Sequence, residues 1–214
     1  MKNVVLLHNY IALNSSETPL FKDGSLNEHV KFWMNSIRAS DFIINTIVEG
    51  FKIPFFDLPE NFVIPNSSSA KFKDFVEEAI SEVIECSCVS EVDFPPIFIN
   101  PMHVVQQSSG KCRPSLGLSF LNLFVWKQSV RYEDICTASD LFQSGYFFFT
   151  FDLKSANRRV ENYHRQYLGF SWCFNSVVKY FVFNVLPFGL SSAPYIFTKC
   201  VFSLIIGVGL DDVL

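Results

Sequence analysis

With 214 residues, 49% of them apolar and 18% charged, the chain can bury a sizeable core, which excludes a disordered tail or a fibrous repeat. Its 25 phenylalanines predict a strongly aromatic interior. The net charge of −4 argues mildly against a nucleic-acid partner, but residues 1–100 hold 7 Lys/Arg against 14 Asp/Glu and residues 101–180 hold 9 against 5, so any such footprint belongs to the middle of the chain.

The first 24 residues show no clear periodicity, and His8 and Asn9 interrupt the run "MKNVVLLHNYIALNSS" that faintly imitates a secretion signal. From Leu26 the apolar positions 26, 30, 33, 37, 44 and 48 follow helical spacing, with Gly50 as the stop. "FKIPFFDLPENFVIPNSSS" then reads as an extended connector lying over a surface. Phe72, Phe75, Val76, Ala79, Ile80, Val83 and Ile84 predict a second amphipathic helix, capped by Ser68 or Ser69. Its other face (Glu77, Glu78, Glu82, Glu85) is acidic and expected to be solvated.

After "DFPPIFINP" the rhythm changes. "MHVVQQ", "SSG" and "KCRPSLGLS" predict a hairpin with its tip at Ser108-Ser109-Gly110. Residues 131–143 suit a short helix and residues 146–152 an aromatic strand. "QYLGFSW" and "VVKYFVFNV" are β-prone runs around an Asn175-Ser176 turn. "LPFGLSSAP" is a rigid turn, and "YIFTKCVFSLII" predicts a helix with Ser191 or Ser192 as cap and Pro194 in its first turn. The fold class is mixed α+β. The apolar run "CVFSLIIGVGL" is too short for a bilayer, so no membrane segment is expected. Six scattered cysteines without a Cys-x-x-Cys pair predict reduced, mostly buried thiols in an intracellular protein (cytoplasm or nucleus), with no zinc site.

Three pieces carry chemistry. Asp152 closes the strand "YFFFTFD", and a carboxylate leaving a buried strand costs free energy unless a cation meets it; taken alone, it equally caps a turn. In "NVLPFGLSSAPYIFTK", Pro187 and Gly189 fix a turn, and Ser191, Ser192 and Ala193 make a slim helix start. Such a start favours anions and also suits an ordinary core helix. On the hairpin, Lys111 and Arg113 alternate, so both cations can reach one phosphate chain, though exposed cation pairs on hairpins are common.

In this order, residues from about 28 to 200 resemble the reverse transcriptases of retroelements, most closely the DIRS type that carries a tyrosine recombinase. "FTFDLKS" resembles the palm strand whose Asp binds catalytic metal, and "VLPFGLSSAPYIFTK" resembles the segment beneath the template and incoming nucleotide. "HVVQQSSGKCRPSLGLSFLN" is similar to the fingers hairpin, and "GFKIPF", "LPENFVIPN" and "FVEEAI" resemble the stretch leading into it. The resemblance implies right-hand polymerase fingers and a partial palm, an antiparallel sheet with packed helices after a helical N-terminal segment. Its segments would be a lead-in at 1–65, a fingers-like region at 66–145 and a partial palm at 146–214.

The implied activity is RNA-directed DNA synthesis by two-metal phosphoryl transfer. Its partners would be an RNA or DNA template-primer and deoxynucleoside triphosphates. Two Mg²⁺ ions would sit on Asp152, Asp211 and Asp212. Lys111 and Arg113 would neutralise the triphosphate, while Ala156, Asn157, Phe188 and Gly189 would line the nucleotide.

Departures from the family pattern accumulate. Gly209 stands where relatives carry an aromatic before the Asp-Asp pair, and only 24 residues separate Pro187 from Asp211, so Asp211-Asp212 is either a compressed remnant of the second acidic site or a chance tail; Gly117 stands where relatives commonly have Asp. "SANRRV" replaces a Gly, an aromatic and two His, so Asn157 stands for the ring that excludes a 2′-hydroxyl. Gln106 and Gln107 leave the fingers short of a lysine. With no thumb, RNase H or recombinase following, the expectation is a truncated polymerase, degenerate or inactive as this chain, whose partner is the rest of a retroelement polyprotein if a longer parent exists. The alternative is a non-catalytic remnant that grips RNA or an RNA–DNA hybrid through Lys111, Arg113, Arg158, Arg159 and Arg165.

Overall fold

A computed structural model of the chain describes residues 28–66, 69–108, 110–130 and 164–207. The helix expected at 131–143 and the strand expected at 146–152 lie outside the described residues. The helical spacing that begins at Leu26 becomes two helices, α1 (Val30–Asn35) and α2 (Asp41–Glu49), not one. Arg38 between them has a φ of 51°, a left-handed backbone through which no α-helix continues. Ser40, extended at φ −61° and ψ 155°, then starts α2 afresh. The break lets Trp33 and Ile37 before it, and Ile43 and Ile47 after it, all reach the core. Val48, which the single-helix spacing would also bury, is exposed. Gly50 ends α2 with φ 93°, as its position predicts.

The Pro-rich stretch does more than cover a surface. Phe51 and Ile53 are buried, and Phe62–Val63 form β1, which pairs in parallel with β3 (Phe98–Ile99). Asn66 donates from Nδ2 to the Ser171 carbonyl at 2.9 Å and accepts at Oδ1 from the Met102 N–H at 2.7 Å. One amide thus ties the connector to two separate pieces of sheet.

Helix α3 (Lys73–Glu85) buries Val76, Ala79 and Ile80 and exposes Glu78, Glu82 and Glu85, as its periodicity predicts. A 3₁₀ turn over Ser69–Phe72 leads into it, so Phe72 and not Ser69 stands at the N-cap; Ser68 lies outside the described residues. Glu77 leaves the solvated face. It accepts from Trp172 Nε1 at 3.4 Å and stands 3.7 Å from Lys73 Nζ.

The main sheet adds β2 (Val89–Val92), β6 (Gly169–Phe174) and β7 (Val177–Phe183), in the order β1-β3-β6-β7-β2. β6 and β7 form the predicted hairpin, and Asn175 and Ser176 have φ of 48° and 69°, which suits a two-residue turn of the strands' own twist. β2 is antiparallel to β7, but β3 is parallel to both β1 and β6. The sheet is therefore mixed rather than antiparallel. Parallel neighbours require long crossovers, and the chain supplies them through α3 and β2 on one side and the whole hairpin region on the other.

Gly169 is where β3 and β6 close on each other. A Cβ there would lie 2.4 Å from Pro96 Cβ and 2.8 Å from the Phe98 carbonyl oxygen. Fully buried Asn100 stitches the same point, donating from its N–H to the Gly169 carbonyl at 2.8 Å and from Nδ2 to the Tyr167 and Gly169 carbonyls at 3.0 Å. Around it lie Phe98, Tyr167, Phe170 and Phe181, with Phe170 and Phe181 stacked at 5.0 Å. The aromatic interior implied by composition is this cluster. Helix α4 (Ala193–Gly207) packs onto the core through Ile196 and Cys200.

Among the described residues no helix is long and apolar enough to cross a membrane. Cys88 and Cys200 are buried, but Cys173 on β6 is exposed, so the thiols are less hidden than expected.

Candidate functional site

Asp152, Ala156, Asn157, Asp211 and Asp212 lie outside the described residues, as do Arg158 and Arg159. The hairpin and the Pro-Phe-Gly turn do not. β4 (Met102–Gln106) and β5 (Cys112–Leu116) pair with Met102 opposite Leu116 and Gln106 opposite Cys112. At the tip, the Gln107 N–H donates to the Lys111 carbonyl at 2.9 Å and the Gly110 N–H to the Gln107 carbonyl at 2.8 Å. Gly110 has φ 82°, a conformation that glycine adopts without a Cβ penalty. Met102 and Leu116 are buried at one end of this ribbon, whereas Val105, Lys111 and Arg113 are exposed towards the other.

Arg113 pairs with Val105 inside the ladder, and Lys111, one residue before β5, is held at the tip by the bond from the Gln107 N–H to its carbonyl. No salt bridge involving Lys111 or Arg113 occurs among the described residues, which leaves both charges open to an anionic partner. Arg165 is differently placed. It is half-buried, and its Nη1 donates to Asn184 Oδ1 at 3.0 Å, while Asn184 Nδ2 donates to the Ser87 carbonyl and Ser90 Oγ at 2.8 Å each. That network braces β7 against the start of β2 and holds Arg165 half-buried.

In the Pro187–Gly189 turn, Gly189 has φ 97°. Phe188 is 86% exposed, the most exposed large apolar side chain among the described residues. Asn122, in the 3₁₀ turn Leu121–Phe124, clasps this bend: Nδ2 donates to the Gly189 carbonyl at 2.8 Å and Oδ1 accepts from the Ser191 N–H at 2.9 Å. A Cβ on Gly189 would stand 3.7 Å from the Leu116 carbonyl oxygen, so the bend lies against the inner end of β5. Arg113 is three residues further along that strand, about 10 Å away along its backbone.

Pro194 falls in the first turn of α4, as expected. The hydroxyls of Ser191 and Ser192 are buried and have no hydrogen-bond partner among the described residues, so neither makes the capping bond expected of it. Sequence reasoning missed Asn122. Its signal was a lone amide inside the apolar stretch "LGLSFLNLFV", where a polar group must find partners.

Gly117, where the resemblance would place Asp, is tightly enclosed. Its N–H donates to the Pro101 carbonyl at 2.8 Å, and a Cβ would fall 2.5 Å from His103 Nε2 and 2.9 Å from Pro101 Cγ. Gly117→Asp is therefore expected to destabilise the fold by about 1–3 kcal/mol. Trimming the ring in the same chain with His103→Ala should recover about half of that loss. Urea unfolding of the single and double variants checks it, and an unperturbed midpoint for Gly117→Asp would refute it.

A shallow hollow of about 450 Å³ is lined by the Ile53–Leu58 stretch and His164, whose Nδ1 accepts from the Ile53 N–H at 2.7 Å. Among the described residues its wall holds no Lys or Arg. No group of three His, Cys, Asp or Glu that could hold a metal occurs among the described residues.

No protein-family model matches the chain, and no curated protein does. The functional reading rests on the residues and on the hairpin–bend geometry.

Proposed function

We propose that the chain is a fingers-and-partial-palm module of the reverse-transcriptase type, DIRS-like in pattern and degenerate in its catalytic half. One observation in the described structure carries this reading. The strand that bears Arg113 ends against the bend that projects Phe188, with Gly189 between them. The strand position that carries the cation lies three residues, about 10 Å of backbone, from the point where the bend meets the strand, a spacing on the scale of a phosphate chain joined through a sugar to a base.

Arg113 takes the phosphates in bidentate fashion, and Lys111 adds a mobile charge at the hairpin tip. Phe188 offers its face to the nucleotide, and Gly189 supplies the left-handed turn that projects it. Asp152, Asp211 and Asp212 are hard oxygen donors of the kind Mg²⁺ prefers, so the donor chemistry fits the ion. Two bound Mg²⁺ would supply an activated primer hydroxyl and charge neutralisation of the leaving pyrophosphate. Asn157 in place of a ring predicts weak discrimination against ribonucleotides.

The test is Mg²⁺-dependent extension of a DNA primer on an RNA template. Slow extension is expected, with Arg113→Ala raising the KM for the triphosphate about tenfold. A chain that neither extends a primer nor binds a deoxynucleoside triphosphate would overturn the reading.

The exposed Phe188 and the two open cations on the hairpin also favour a second reading, a non-catalytic grip on RNA or an RNA–DNA hybrid by stacking and phosphate contact. In that case affinity falls as salt rises, no primer is extended, and Lys111→Ala and Arg113→Ala each flatten the salt dependence by about one counterion. Affinity that ignores ionic strength would exclude it.

A further inference from the structure

We propose that Asn122 is a positioning residue for the nucleotide, acting through the bend that carries Phe188. This rests on the nucleotide-binding reading above. At 86% exposure the Phe188 ring has little packing to orient it, so its direction is inherited from its backbone. That backbone is weakly held from within, because the bend's own bond, Leu190 N–H to the Pro187 carbonyl, is 3.5 Å long. The firm bonds come from outside. The Gly189 carbonyl and the Ser191 N–H, either side of Leu190, are both taken by the Asn122 amide at 2.8 and 2.9 Å. A carboxamide donates and accepts at once; a carboxylate or an aliphatic side chain of that size does not.

Asn122 is itself well anchored. Its N–H donates to the Leu118 carbonyl at 2.9 Å, and Leu118, Leu121 and Val125 around it are buried. Leu118 lies two residues beyond the end of β5, so a short stretch of chain links the Arg113 ladder to the Phe188 bend. The amide therefore sets how far, and at what angle, the ring stands from the phosphate-binding cation.

The experiment measures the dissociation constant of a fluorescent deoxyadenosine triphosphate with Mg²⁺, well below each variant's melting midpoint. Asn122→Ala should weaken binding about tenfold, and Asn122→Asp, which keeps the acceptor and loses the donor, about threefold. In a Phe188→Ala background Asn122→Ala should change affinity by less than about twofold, because the two residues act as one unit. Additive losses would overturn the proposal, since a residue that only supports the fold has no reason to act through the ring. Wild-type affinity in both Asn122 variants would also overturn it while leaving the nucleotide reading intact. No binding by the wild type would remove both. Unchanged hydrogen exchange at the Ser191 amide in Asn122→Ala would remove this inference alone.

Discussion

Asp152→Ala is expected to abolish Mg²⁺-dependent primer extension, a loss of about a thousandfold or more, or roughly 4 kcal/mol of transition-state stabilisation. The run "YFFFTF" before it is apolar, and a carboxylate at the end of such a run is costly without a cation. Mg²⁺ takes few protein ligands and needs them to be charged oxygens, so Asp152→Asn should lose nearly as much as Asp152→Ala. The nucleotide contacts proposed for Arg113 and Phe188 belong to other elements. Metal-free triphosphate affinity should therefore stay within about threefold of wild type in both variants. Single-turnover extension assays beside equilibrium binding separate the two quantities. An unchanged extension rate in Asp152→Ala would end the catalytic reading and leave only the nucleic-acid grip.

The largest expected effect on stability is at Gly169, where replacement by Ala should cost about 3 kcal/mol and lower the melting midpoint by roughly 6–12 °C. The added Cβ would meet Pro96 Cβ at 2.4 Å and Cγ at 2.5 Å, atoms of a ring that cannot swing aside, and the Phe98 carbonyl oxygen at 2.8 Å. Relief would require β3 and β6 to part at their one paired position, Ile99 opposite Gly169. That movement would also strain the hydrogen bonds of Asn100. Gly110→Ala is the useful contrast. Nothing lies within 4 Å of its Cβ, and only its φ of 82° is at stake, so about 1 kcal/mol is expected. Denaturant midpoints that rank these two variants the other way would refute the account of the β3–β6 closure.

What the sequence disclosed follows from the range of the forces involved. The β6–β7 hairpin, the β4–β5 hairpin and α3 are set by turn residues and periodicity within a few positions, and all three appear where expected. The break at Arg38 has no Gly or Pro to announce it, because the burial of Trp33 and Ile37 on one side and Ile43 and Ile47 on the other imposes it. β1 and β3 are two residues each, too short for alternation to register, so their parallel pairing and the mixed sheet were not legible. Around the candidate site, the hairpin that carries Arg113 and the bend at Pro187–Gly189 were readable from turn chemistry. Asn122 was not, since its partners lie 67 and 69 residues away.

The order of strands across the sheet bears on how the protein is made. Phe62 and Phe98 leave the ribosome roughly 70 residues or more before Gly169, the start of the strand that covers their neighbours. At about 5–20 residues per second, that is some 4–14 s during which a ring destined for full burial, Phe98, waits on the nascent polypeptide without its lid. Slower translation lengthens the wait, a holding chaperone shields the ring during it, and cooling weakens the apolar attraction that would drive its misassociation. Yield of folded material should therefore respond more to temperature and chaperone supply during synthesis than to the strength of the promoter.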